Sequence, residues 1–232
     1  PMIALALALT LAAPTAGPVD RARALLERGA LDDAEVVIAE LPSPSRERLE
    51  GLLHLRRDEP RRAATAFARA LELAAEDDPA LRLHLAHAHL LADRPDETLE
   101  ALGALPETSE HVVAPLLAAR AHRARGDDAR AYAILARTAT DAFPDELRPL
   151  LELVSLARDA GLRAEARRWA VRLLERSARA ASSLSRDEGL ALFDLLGEDP
   201  EALPPLEAVA ARFSRDPELQ ARLAVSYGRL ER

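Results

Sequence analysis

Apolar residues recur along the chain at helical spacing, and one helical unit recurs six times. Each copy has a turn Gly or Asp, a small residue five places on and, usually, a large apolar residue four further. The turn residues are Gly29, Asp58, Asp93, Gly126, Gly161 and Gly197, and the small or near-small ones are Ala34, Ala63, Thr98, Ala131, Ala166 and Ala202. Successive spacings of that second set are 29, 35, 33, 35 and 36 residues, so the pattern predicts an array of stacked units rather than one globule.

The residue types within a unit have a physical reason. Seven places before each turn stands Ala22, Gly51, Ala86, Ala119, Val154 or Leu190. Small side chains there and five after the turn let two antiparallel helices approach closely. One helical turn beyond, Ile38, Phe67, Leu102, Leu135 and Leu206 fill the remaining space on the same face, with Ala170 the exception. Gly126 and Gly161 suit the left-handed conformation that ends a helix, and Pro60 and Pro95 suit the first position of the next. Each unit therefore reads helix, tight turn, helix. Pro204-Pro205 interrupts where the sixth second helix is due, which leaves the register of that unit open.

This arrangement resembles the tetratricopeptide repeat family, whose unit is about 34 residues. The residues that carry it are Gly51 through Asp58 to Ala63, Phe67 and Ala70; Leu85-Ala86 with His89; Gly126 to Ala131; and Leu223 to Tyr227. The family's Trp near the start of the first helix is missing throughout, and the first unit is short. The resemblance implies an all-α, right-handed α-solenoid (superhelix) of about six helix-turn-helix repeats. It makes residues 18 to 232 a single domain, with the stretch from Glu218 on as a C-terminal capping helix. It also implies a non-catalytic protein–protein interaction scaffold without a cofactor, whose first helices line a concave groove for a protein or peptide partner. The matching groove positions are Arg48, Leu52, Arg56, Leu83, His84, His87, Leu116, Arg120, Arg123, Leu151 and Arg158, while the sixth unit places Asp187, Glu188 and Asp194 there. A basic groove with an acidic end suits a segment that bears carboxylates. The family's carboxylate clamp uses Lys and Asn, both absent here, and is not carried over. The alternative is a structural subunit of a multiprotein envelope complex, or a homo-oligomer, assembling through its ends or convex face. Leu219, Leu223 and Leu230 of the terminal helix would then form an open edge.

Composition narrows the partner. The 232 residues carry a formal net charge of -8 and only 3% aromatic side chains. Phosphate attraction and base stacking are thus poorly supplied, and nucleic acid is excluded as a partner. Pentatricopeptide arrays share the period but read RNA with Asn prominent, and this chain has none. All 31 positive residues are Arg; the absence of Lys and Asn together points to a GC-rich, bacterial genome and lowers the weight of any one Arg. No Cys is present, which removes disulfides, thiolate metal sites and a lipoprotein anchor. Met2 to Ala13 is almost purely apolar and is followed by small residues, so it reads as a secretory signal and predicts a periplasmic or cell-envelope protein. The run is too short for an integral membrane span, which needs about 20 residues. If it is not a signal, residues 1–17 form an apolar helix on the first unit and the protein is cytoplasmic.

Motifs for chemistry are lacking. His54, His89 and His122 stand four places before successive turn residues, a repetition that argues for packing. His84 and His87 share a helix face without a third ligand, so no metal site is expected. His111 carries no readable message. No phosphate loop, nucleophile elbow or His-Glu-x-x-His run occurs, and no catalytic residue is assigned. Asp32-Asp33, Asp77-Asp78 and Asp127-Asp128 read as helix-start residues. Trp169, among Arg167, Arg168 and Arg172, reads as an outer packing or contact residue.

Overall fold

The computed structural model describes residues 17–105, 112–143, 145–179 and 184–230, and for 178 and 179 only the backbone. The apolar segment Met2 to Ala13 and His111 lie outside them. The described residues form α1 (Pro18–Glu27), α2 (Leu31–Ala39), α3 (Ser45–Arg56), α4 (Pro60–Leu73), α5 (Pro79–Leu91), α6 (Pro95–Gly103), α7 (Val113–Ala124), α8 (Asp128–Arg137), α9 (Arg148–Asp159), α10 (Arg163–Arg179), α11 (Arg186–Leu196), α12 (Leu203–Arg212) and α13 (Pro217–Leu230). A π-helical turn, Thr138–Ala142, extends α8. No strand occurs among the described residues. Two compact units divide between Glu97 and Thr98; within them successive helices pack in antiparallel pairs, α1 with α2 and α3 with α4 in the first, α7 with α8, α9 with α10 and α11 with α12 in the second, where α13 packs on α11 and α12.

The turns explain the sequence pattern. Gly29, Asp58, Asp93, Gly126 and Gly161 have φ between 58° and 79°, the left-handed region in which helices end. Around each, the N–H one residue past the turn returns to the carbonyl five residues before it: Ala30 to Leu25, Glu59 to His54, Arg94 to His89, Asp127 to His122 and Leu162 to Ala157, at 2.8–3.0 Å. That bond uses a carbonyl that the ending helix leaves unpaired. The following helices begin at once, with Pro60 and Pro95 at the start of α4 and α6. Asp78 and Asp127 cap their helices by accepting from the amides of Leu81 and Arg130, whereas Asp32 and Asp33 sit in the first turn of α2.

Gly197 departs from this pattern, with φ -63°. A Cβ on it would meet the Phe193 carbonyl at 2.6 Å and Ser226 Oγ at 2.7 Å, so this glycine serves the close packing of α13. The chain then makes a longer turn in which Asp199 accepts from the amide of Glu201, and Pro204-Pro205 open α12 rather than interrupt it. The register shifts accordingly. Gly189, not Leu190, faces the partner helix, 3.1 Å from Val209 at its Cβ position.

Small residues five past the turn are all buried: Ala34, Ala63, Thr98, Ala131 and Ala166 are 0% exposed and Ala202 is 1%. In the first unit, Ala22, Leu26, Ile38 and Leu49 form one cluster and Phe67, Ala70, Leu81 and Ala88 another, with Leu52 touching both. In the second, one core runs from Leu116 through Leu135, Leu150 and Leu173 to Leu206 and Leu219. Trp169 belongs to it at 3% exposure, which corrects the outer position expected for it. Its Nε1–H donates to the Tyr132 hydroxyl at 2.9 Å, which donates to Glu165 at 2.8 Å. Arg168 and Arg172 lie over the indole, each 5.0 Å from the ring centre.

Candidate interaction groove

In the second unit the first helices of three successive pairs, α7, α9 and α11, line a groove of about 700 Å³. Its apolar floor comes from Leu151 and Val154 of α9, Ala191 and Leu192 of α11, and Leu173, which reaches through from α10. Arg120 and Arg123 of α7, Glu152 and Arg158 of α9, and Asp187 and Glu188 of α11 form the polar rim. A capping box fixes the α11 end: the Ser185 hydroxyl accepts from the Glu188 amide while Glu188 accepts from the Ser185 amide at 2.7 Å.

Four of the eleven positions assigned from sequence, Arg120, Arg123, Leu151 and Arg158, line this groove together. Leu116 does not reach it; at 5% exposure it is a core residue, because its face of α7 turns toward the helices behind the groove. The other six belong to the first unit, on α3 and α5. There Arg48 donates to Asp78 at 2.6 Å. His84 stacks on Phe67 with centroids 5.5 Å apart and planes 18° off parallel. Burial first, then the positive charge of Arg48, holds the His84 imidazole below its usual pKa. Its role is packing, through the stack on Phe67. Leu52, Leu83 and His87 are half-buried and Arg56 is exposed.

Arg120 and Arg123, expected to face a ligand, have carboxylate partners one repeat away, and Arg167 and Arg186 are engaged in the same way. Arg120 meets Glu152 at 2.5 Å, Arg123 meets Asp159 at 3.1 Å, Arg167 meets Asp199 at 2.9 Å, and Arg186 meets Asp216 and Glu218 at 2.6 and 2.7 Å. Each cation belongs to one helix pair and its carboxylate to the next pair or, for Arg186, to the start of α13. Exposed pairs of this kind add about 0.2–1 kcal/mol each, so their larger effect is to fix the register of neighbouring pairs. Glu152 and Leu173 were not anticipated as groove residues. For Glu152 a signal exists, since it follows Arg120 by 32 residues, close to the repeat length.

Two of the repeated histidines, His54 and His122, are packing groups with carboxylate neighbours. His54 Nδ1 lies 2.7 Å from Glu59, and His122, buried, lies 3.7 Å from Asp127. No cluster of three metal-ligating side chains occurs among the described residues. No described helix is long and apolar enough to cross a membrane.

Paired antiparallel helices with left-handed turns and buried small residues at fixed offsets define an all-α solenoid fold of the tetratricopeptide-like class. Solved structures agree. The crystal structure of PilW, a widely conserved type IV pilus biogenesis factor, superposes with a TM-score of 0.66 at 18% identity, over 89% of this chain and 96% of PilW. The Cut9-Hcn1 hetero-tetramer of the APC/C superposes with a TM-score of 0.55 at 16% identity, over 90% of this chain and 42% of the matched one. No family model matches the chain, and no curated protein sequence matches it. At such identities the likeness concerns the fold.

Proposed function

We propose that this protein is a non-catalytic interaction scaffold that holds an extended or helical segment of a partner protein in the groove of its second unit. The observation that carries this reading is the groove itself: three successive first helices present an apolar floor under a charged rim, the composition of a peptide-binding surface. Neighbouring helices stand about 8–10 Å apart, so three of them span about 20 Å. At about 3.3 Å per residue, that accommodates about six extended residues.

Ser155 provides the test. It lies on the groove wall, half-buried, with its hydroxyl 3.5 Å from Asp159. Ser155→Trp would fill the groove without touching the core. Partners captured from the native cell by the wild type and lost by this variant support the reading; an unchanged set of partners refutes it.

A second reading, a structural subunit of an envelope assembly such as a type IV pilus machine, is favoured by the length of the PilW match, which spans nearly all of both chains. It agrees with the signal-like Met2 to Ala13. Val225 and Tyr227 of α13, 49% and 40% exposed, would supply its contact. Assembly on that route tolerates high salt and is lost with Val225→Glu.

A further inference from the structure

The rim charges of the groove are not matched evenly along it. Arg120 is neutralised by Glu152. Arg123 and Arg158 share a single carboxylate, Asp159, at 3.1 and 3.7 Å, and Arg158 keeps a side chain 58% exposed. The α7 and α9 side therefore holds an excess guanidinium.

The α11 wall is opposite in sign. Arg186 divides its guanidinium among Asp216, Glu218 and Asp187, and Asp187 takes the longest of the three contacts, 3.2 Å, with a side chain 89% exposed. Arg222, the other cation here, pairs with Asp194 and lies 3.9 Å from Glu218. Two guanidiniums thus face four carboxylates, with Glu188 held in its capping box beside them. The positive end of α11 offsets about half a charge, which leaves the wall negative.

Resting on the groove reading above, we infer that the bound segment is bipolar. An acidic side chain lies near Arg123 and Arg158, apolar side chains cover Leu151, Val154 and Leu192, and a lysine or arginine lies against Asp187. With helices about 10 Å apart, the two charged residues are separated by about three to six extended residues. The charge pattern of the groove is then complementary to its ligand at both ends, which sets how the segment lies and rejects segments with like charges at both ends.

Three fluorescent peptides of about ten residues with one shared Leu/Val core test this on the intact protein. One carries Glu at one end and Lys at the other, one carries Glu at both ends, and one carries Lys at both. Anisotropy titration at low salt should show the mixed peptide binding about fivefold tighter than either other, the size of one exposed charge pair. High salt should erase the difference. Asp187→Arg should make the Glu/Glu peptide the tightest. Equal affinities for all three, each lost with Ser155→Trp, would overturn the bipolar ligand and leave the groove standing. Failure of all three to bind, or binding indifferent to Ser155→Trp, would overturn both.

Discussion

Gly51→Ala inverts the usual rule for a glycine inside a helix. In an open helix interior this exchange stabilises by about 1 kcal/mol, because alanine has less backbone freedom to lose. Here the new methyl would stand 2.4, 2.6 and 2.7 Å from three ring carbons of Phe67, against an ordinary carbon–carbon contact of about 3.5–4.0 Å. The ring cannot retreat easily: it is 0% exposed and is stacked against His84. Overpacking costs about 1–3 kcal/mol, and expulsion of the ring would approach the roughly 3–5 kcal/mol of a Phe→Ala change. We expect a net loss of about 2 kcal/mol, read by urea unfolding and by faster amide hydrogen exchange in α3 and α4. Gly228→Ala is the control; nothing lies within 4 Å of its Cβ position, so it should gain about 0.5–1 kcal/mol. Phe67→Leu should partly rescue Gly51→Ala, with a coupling of about 1–2 kcal/mol in the double-mutant cycle. A Gly51→Ala protein more stable than the wild type, or additive effects in the cycle, would refute the reasoning.

Tyr132→Phe should cost about 1–3 kcal/mol, because it leaves the buried Trp169 N–H without its acceptor; unfolding followed by the fluorescence of this single tryptophan reads it. Arg186→Ala should loosen α13, which hydrogen exchange over residues 217–230 detects as lost protection, with α3 and α4 unchanged as the internal control. His84 and His122 both have pKa values lowered below 6.5, first of all by burial. The unfolded chain therefore binds more protons than the folded one just below that pH, so stability should fall as pH drops through 6.5. His84→Phe should flatten the slope below about pH 6.5 in thermal melts, and an unchanged slope would count against a buried, stacked His84.

Helix pairs and turns were legible because each depends on a few residues at fixed offsets. A left-handed turn needs Gly or tolerates Asp, and close helix approach needs Ala, Gly or Thr; five of six turn residues and all six small residues behave so. Gly197 looks identical in sequence but is glycine for another reason, contact with Phe193 and Ser226, so the register of the sixth unit, open from sequence, follows instead from Gly189 against Val209. The groove was half legible. Repeat offsets placed Arg120, Arg123, Leu151 and Arg158 on one surface, yet they cannot say how far a side chain turns toward the core, as Leu116 does. Nor did they reveal that Arg48, Arg120 and Arg123 would be engaged by carboxylates of the next helix pair. Pairing across repeats depends on two offsets at once, that of the cation and that of its carboxylate.

In the function proposed above, a partner lies in the groove of α7, α9 and α11. A photo-crosslinking amino acid at Ser155, compared in native cells with the same group at exposed Thr65 of α4, tests it most directly. A discrete adduct is expected from position 155 alone, mapping to an apolar segment flanked by charges. Adducts from both positions alike, or from position 65 only, would contradict it.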